Sequence, residues 1–459
     1  MRKLWLSILA LCLISPGAIA SGPHSPNDSL KFNLWRLDSG SKINTRGAVT
    51  VAAPTGVSFT DTENIKTAIM SGKKTVNFPA GKYVVETYHY PANNQACIIP
   101  LSGQTFVMAD GTTICANPTA MTGTANAVMF DITSKSNVTI YSLGKAYLTM
   151  NRQDFAVGVD QFHHIFQIQS SSGVTLRNLW CGYSGGDGFF TGSNGGAAAP
   201  TTQLTITSCT AYACYRNGLT LDNNIGANIT GCYFLNQQGS SLCTGIDMEA
   251  DWVNSHFVNI NVTNCDMEGN TTFALCVHTA VLNASDPTSS TITAVFQSCT
   301  MSAYASFGDT GLYTIGPIGG GPVGSIIWND CIVNSCTGRG FQIASHGSTL
   351  TAFTFNRCWF GNYCLNKVVQ LNLINEDAGA PLTGLWYGGV TFNNCTWVEY
   401  TRGGTNYQVE GFKSVCLGAS DLHGSGNTFI GNAAWGWNFP NRIPTTFDIT
   451  ATPSITFSP

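Results

Sequence analysis

Apolar and polar residues alternate along most of this chain in short runs separated by Gly, Asn and Ser. A period of two in short runs is the pattern of strands with one buried face. From about residue 128 the runs recur as similar coils. VTLRNLWCGYSGGDGFFTG (174–192), LTITSCTAYACYRNGLTLD (204–222), NITGCYFLNQQGSSLCTGIDME (228–249) and INVTNCDMEGNTTFALCVH (260–278) are successive examples, followed by 294–315, 326–344 and 353–371. Each has a strand ending in a polar–Cys or polar–apolar pair, a turn, and a short Gly-led strand. Cys209, Cys232, Cys265, Cys299, Cys331, Cys358 and Cys395 hold one register, at spacings of 23 to 37 residues. Such spacings fit one three-strand coil of a parallel β-helix per repeat. Strands this short cannot bury a face alone, so stacked coils must build the core. The pattern therefore predicts an all-β solenoid.

The registered cysteines are expected as an inward column of buried thiols, because a free Cys behaves as a small hydrophobe. No Cys-x-x-Cys pair points to a metal. Disulfides are expected outside the column, first at Cys97–Cys115 and Cys336–Cys364. Two stretches depart from the repeat. Thr60 to Ile69 reads as a capped amphipathic helix, placed to shield the open end of the solenoid from pairing with another chain. Residues 415–459 break the repeat and are expected to cap the other end. The chain is thus divided into a leader at 1–20, an N-terminal segment at 21–127 with the capping helix and first coils, coils at 128–415, and a C-terminal cap at 416–459.

The leader reading rests on Arg2 and Lys3, an apolar run from Leu4 to Ile14, and Ala18-Ile19-Ala20 after Pro16-Gly17. The run is shorter than the roughly 20 residues of a spanning helix. Secretion, to the medium, periplasm or cell surface, is expected, without membrane insertion. Charged residues make up only 10% of the chain, and the net charge is −4. Loss of Arg2 and Lys3 leaves 19 basic against 25 acidic residues, a net of −6. With no basic run, nucleic acid and anionic membranes are excluded as expected partners. Oligomeric state is left open.

The segment DTENIKTAIMSGKKTVNFPAGKY resembles the opening segment of the pectate-lyase-like (pectin-lyase-like) superfamily, and the run GGDGFFTG…RNGLTL…GIDME resembles a bacterial branch of it. The resemblance covers roughly residues 45–415. It implies a right-handed single-stranded parallel β-helix with an N-terminal helical cap. Activity does not follow from it, since this fold hosts hydrolases, lyases, epimerases and non-catalytic adhesins.

Candidate chemistry comes from aligning the Gly-led strands. Phe189, Leu219, Ile246, Leu275, Leu312 and Phe341 form the inward column. Alternation turns Phe190, Thr220, Asp247, Cys276, Tyr313 and Gln342 outward, and two residues on, Gly192, Asp222, Glu249, His278, Ile315 and Ala344. Asp222, Asp247 and Glu249 are therefore expected on one exposed strip with His278 on the next coil, about 5–8 Å apart. Stacked carboxylates repel, which raises the pKa of a member and yields an acid and a base. These four are the catalytic candidates. Asp187 is a turn former or a further carboxylate at the substrate. Arg216 neutralises the cluster or grips substrate. Trp252, Tyr313 and Tyr183 offer faces for sugar rings. Insertions at 193–203, 250–258, 279–292, 316–324 and 374–388 leave this corner as cleft walls. His163-His164 is expected to be structural.

Three functions compete. Paired carboxylates equip a glycoside hydrolase acting on a polysaccharide, with Asp247 and Glu249 as the pair and no cofactor. The same carboxylates could hold Ca²⁺ against a uronate in a polysaccharide lyase or C5-epimerase, with Arg216 or His278 as base. The third is a non-catalytic glycan-binding spike or adhesin. The polygalacturonase motif set and the Asp-Pro-His signature of alginate epimerases are both missing.

Overall fold

The computed structural model describes residues 47–452 with interruptions, the longer ones at 118–125, 153–160, 279–290, 376–389, 399–408 and 431–446. The expected leader and the Cys336–Cys364 pair lie outside the described residues. The chain forms a right-handed parallel β-helix. Each coil contributes three strands. Thr201–Thr207 and Thr210–Tyr212 join a 23-stranded sheet and Leu219–Leu221 an 11-stranded sheet. The next coil repeats the order with Asn224–Thr230, Tyr233–Leu235 and Thr244–Glu249. Pairing between coils is parallel and in register.

The bend between the first two strands explains the cysteine register. The residue before each column Cys has a positive φ: Ser208 at 52°, Gly231 at 60°, Asn264 at 52°, Ser298 at 53°, Asp330 at 54°, Arg357 at 54° and Asn394 at 53°. A left-handed residue turns the chain sharply, and Gly, Asn and Asp tolerate it best. At the bend the thiol reaches backbone carbonyls, some of which also accept an N–H from the neighbouring coil. Cys232 Sγ lies 3.4 Å from Thr230 O and 3.5 Å from Ile206 O of the preceding coil. Cys395 Sγ does the same with Asn393 O at 3.6 Å and Phe355 O at 3.4 Å. A thiol is small enough for the core and carries a weak donor that these carbonyls can accept. All seven are buried free thiols.

Cys97 and Cys115 are not joined in the expected disulfide. Cys97 belongs to Ala96–Ile98 of the 11-stranded sheet and Cys115 to Thr112–Ala116 of the 23-stranded one, so no strand pairing brings them together.

Inward aromatic residues stack from coil to coil. Phe296 and Trp328 lie 5.7 Å apart, Trp328 and Phe355 4.4 Å, and Phe355 and Phe392 4.8 Å, all within 13° of parallel. The helix runs Ser58–Met70, and buries Ile65, Ala68 and Ile69 in the same core as Val76 and Phe106. Its start is not capped as the sequence pattern implied: Val57 precedes it without a side-chain cap. Asp61, in the first turn, is buried and accepts from Thr55 N at 2.7 Å and Val84 N at 3.0 Å, tying the helix to the first coils. At the far end Leu422–Ile430 pairs with Val390–Asn393 and Thr396–Val398, and Phe447–Thr452 pairs with Leu422–Ile430. The sheet thus runs on past residue 415, where the repeat motif fades. Among the described residues no helix is long and apolar enough to cross a membrane.

Thiol titration of the native protein should leave the seven column cysteines unreactive, and denaturation should expose them. Mass spectrometry that finds the column paired in disulfides would contradict this. Trp328→Ala, which opens the aromatic stack, is expected to lower unfolding free energy by about 3–5 kcal/mol in denaturant titration.

Candidate active site

Successive strands of the 11-stranded sheet carry the candidate residues: Phe189–Gly192, Leu219–Leu221, Thr244–Glu249 and Phe273–His278. Phe189, Leu219, Ile246 and Leu275 pair in one column, and Phe190, Thr220, Asp247 and Cys276 in the next. Glu249 pairs with His278. Glycine leads these strands because the coils meet closely there. A Cβ on Gly218 would lie 2.6 Å from Gly245 O, and one on Gly245 2.6 Å from Ala274 O.

Asp222, Asp247 and Glu249 share the outer face, as alternation requires, but they are not exposed. Their relative exposures are 2%, 2% and 5%. The loops leaving the strands fold back over the strip. Asp222 accepts from Ser193 N at 3.3 Å, Asp251 N at 3.1 Å and Ser255 Oγ at 3.3 Å, so it anchors two of those loops. Gly192 makes room for it, since a Cβ there would lie 2.5 Å from Asp222 Oδ2. These three donors fix the position of the Asp222 carboxylate.

Arg216 is the cation of the cluster. Its Nη2 donates to Glu249 Oε2, and its Nε lies 3.9 Å from Asp187 Oδ1. Burial works against its charge, and the charges of Asp187, Glu249, Asp247 and Asp251 outweigh burial, so it stays protonated. Asp187 is fully buried and accepts from Asn217 N and Thr220 Oγ1, both at 2.9 Å. Burial raises its pKa, against the pull of Arg216. Asp187 was expected as a turn former or a further carboxylate, and Arg216 as neutralising the cluster or gripping substrate. Both are buried, with Arg216 placed between the carboxylates of Asp187 and Glu249.

Asn217, which the motif reading passed over, organises this buried group. Its Nδ2 donates to Asp247 Oδ2 at 3.0 Å, and its Oδ1 accepts from Thr244 N at 3.0 Å. Among the described residues Asp247 Oδ1 has no hydrogen-bond partner within ordinary geometry, and the Cys276 side chain stands beside the carboxyl. Burial first, then the charge of Glu249, pushes the Asp247 carboxyl well above the usual range, against Arg216. Asp251 follows in the turn after the strand. The residue is exposed, yet its carboxyl is crowded enough that desolvation is the largest influence, ahead of Glu249 and Asp222; together they push it up to about 7 against Arg216. Asp247, Glu249 and Asp251 recur at every second position of Ile246-Asp247-Met248-Glu249-Ala250-Asp251. That spacing was the sequence signal for Asp251.

His278 sits half-buried beside Glu249 on the next coil. Trp252 is 43% exposed at the rim. Tyr313 pairs with Cys276 through its backbone, and its side chain lies outside the described residues, as do most of the walls expected at 279–292, 316–324 and 374–388. His164 Nδ1 accepts from Asp187 N at 3.0 Å, and its ring stacks on Phe190 at 4.7 Å. Burial, helped by Arg216, pushes its pKa well below the usual value, so it is neutral. His163 Nδ1 lies 3.1 Å from Ala127 O, deep in the coil. Among the described residues no three His, Cys, Asp or Glu side chains converge as a metal would need. Arg216 lies between Glu249 and Asp187.

The described chain is a right-handed parallel β-helix with a carboxylate cluster on one sheet. No family model and no curated protein matches this chain. Solved structures do. The A-module of mannuronan C-5 epimerase AlgE6 from Azotobacter vinelandii superposes with a TM-score of 0.51 at 14% identity, over 89% of this chain and 98% of that one. The catalytic domain of a GH87 α-1,3-glucanase in complex with nigerose gives 0.50 at 12%, over 83% and 68%. At these identities the likeness is one of fold.

Two outcomes follow for stability. Arg216→Met leaves buried carboxylates without their cation and should cost about 3–5 kcal/mol in denaturant titration. The sign for Asp247 is the opposite of a salt-bridged carboxylate. Its raised pKa means that, above the ordinary carboxylate range, the native protein holds a proton the unfolded chain has released, so stability falls as pH rises across that window. Asp247→Asn should therefore gain Tm relative to wild type between pH 4 and pH 8. An equal offset at both ends would contradict the assignment.

Proposed function

We propose that the protein is a secreted glycoside hydrolase acting on a polysaccharide, with Glu249 and Asp251 as its reacting carboxylates. The observation that carries this reading is the pair's unequal environment. Glu249 is ion-paired with Arg216, whereas desolvation, ahead of the charges of Glu249 and Asp222, pushes the Asp251 carboxyl two residues on up to about 7. A carboxyl raised in this way beside an ion-paired carboxylate is equipment for acid–base cleavage of a glycosidic bond. Asp251 donates the proton to the departing sugar oxygen, and Glu249 meets the other side of the bond as base or nucleophile. Asp247, protonated beneath them, limits the negative charge that Glu249 must tolerate. Arg216 and Asn217 hold the group in place, and Trp252 lies at the rim where a sugar ring would stack. The described fold and its likeness to polysaccharide-acting enzymes support the substrate class. Secretion is carried by the leader pattern alone.

Glu249→Gln and Asp251→Asn are each expected to lower turnover at least about 10²-fold, the low end of a general acid or base contribution, with an unchanged circular dichroism spectrum. An acid of this kind must be protonated, so the rate should fall as pH rises through about 7, and the variant Asp251→Asn should lose that limb. A chelator should leave the rate unchanged, because Arg216 supplies the positive charge. Absence of product from any glycan in a broad panel would favour the adhesin reading.

A further inference from the structure

The 23-stranded sheet carries a second feature on its outer face, on the strands that precede the carboxylate strands in each coil. Trp180 of Thr175–Gly182 pairs with Tyr147 of Thr139–Thr149, and Gly182 pairs with Tyr212 of Thr210–Tyr212. The Trp180 ring lies 5.7 Å from that of Tyr147 and 5.9 Å from that of Tyr212, stacked on the latter at 28°. Tyr183 closes the group, edge-on, at 6.0 Å from Trp180 and 5.8 Å from Tyr212. Tyr147 and Tyr183 are 37% and 41% exposed, and the other two are half-buried. The core does not need these rings, because Leu179, Cys181 and Ala211 of the same strands already fill it.

Two local choices favour an open ring surface. Gly182 stands two residues after Trp180 on the same face, and a Cβ there would come 2.3 Å from Trp180 Cη2. The indole therefore lies flat over the glycine. Tyr183 has a φ of 55°, at a corner where the next coils place Ala213, Asn236 and Gly269 at 51°, 58° and 68°. A bulky residue in the left-handed region is a strained choice, and such strain gathers at binding sites.

We propose that Tyr147, Trp180, Tyr183 and Tyr212 form a glycan-holding platform outside the carboxylate cluster, on which the apolar faces of successive sugar rings of a polysaccharide stack. Tyr and Trp present broad rings that combine an apolar face with a polar edge. Thr149 and Thr210 occupy outward positions paired with Gly182 and Trp180, which gives sugar hydroxyls hydrogen-bonding partners beside the rings. Lys145 Nζ lies 5.5 Å over the Tyr147 ring and adds a cation at one end. In sequence only Ser184 to Gly186 separate Tyr183 from the buried Asp187. The proposal does not depend on the clustered carboxylates being catalytic.

Native electrophoresis of the full protein tests it, in gels containing polygalacturonate, alginate, xyloglucan, arabinoxylan or dextran, against a gel with none. At least one polysaccharide should retard wild type and Glu249→Gln alike. Trp180→Ala and Tyr183→Ala should each weaken apparent affinity about 3- to 10-fold, the loss of roughly one stacking contact, while Trp180→Phe keeps most of it. Tyr183→Ala guards against a folding artefact at Trp180, and Tm is followed for every variant. Retardation by none of the five overturns the proposal. So does retardation abolished by Glu249→Gln but kept by Trp180→Ala, which would assign binding to the carboxylate cluster. Self-association of wild type that Trp180→Ala removes, without glycan retardation, would make the rings a contact between copies of the chain and also overturn it.

Discussion

The backbone ladder between coils is the constraint from which the rest follows. Gly188 N donates to Asn217 O at 3.0 Å and Gly218 N to Thr244 O at 2.9 Å, so each coil is locked in register on the next. Once locked, every side chain belongs to a column with neighbours about 4.8 Å above and below. Like neighbours then reinforce or oppose one another. Phe296, Trp328, Phe355 and Phe392 gain by stacking, and the thiols of the cysteine column fill one repeated gap. Carboxylates at the same spacing lose. Two charges about 5 Å apart at an effective dielectric near 20 repel by about 3 kcal/mol, a sizeable part of the 5–15 kcal/mol of a typical fold. The chain meets that repulsion with Arg216 between Asp187 and Glu249, and with protons on Asp247.

The architecture was legible because a solenoid writes its register directly into the sequence. The cysteine column, the Gly-led strands and the inward Phe189–Leu219–Ile246–Leu275 column all stand where alternation places them. The site was legible as a column and not as a surface. Alternation tells which way Asp222 and Asp247 point, but not what the next loop does. Ser193, Asp251 and Ser255 cover Asp222 through contacts across 29 to 33 residues of sequence. Asp187 and Arg216 looked like groups for a ligand because each stands at a turn, and their pairing comes from neighbouring turns on adjacent coils. The expected Cys97–Cys115 disulfide failed for a related reason: proximity in sequence says little when the two residues belong to different sheets.

The same register that concentrates charge on one sheet places a cluster of Tyr and Trp rings on the sheet before it. Both features lie on the outside of a solenoid whose inside is almost wholly apolar, and the chain has few charges to distribute. Asp187, Asp222, Asp247, Glu249 and Asp251 nonetheless stand where the coils force them to interact.

That coupling can be read directly. With ¹³C-labelled aspartate, the side-chain carboxyl resonance of Asp251, assigned by its loss in Asp251→Asn, should titrate with a midpoint near 7 and move down when Glu249→Gln removes the neighbouring charge. A midpoint near the ordinary aspartate value of about 4, unmoved by Glu249→Gln, would contradict the claim that coil register makes these carboxylates a coupled acid–base pair.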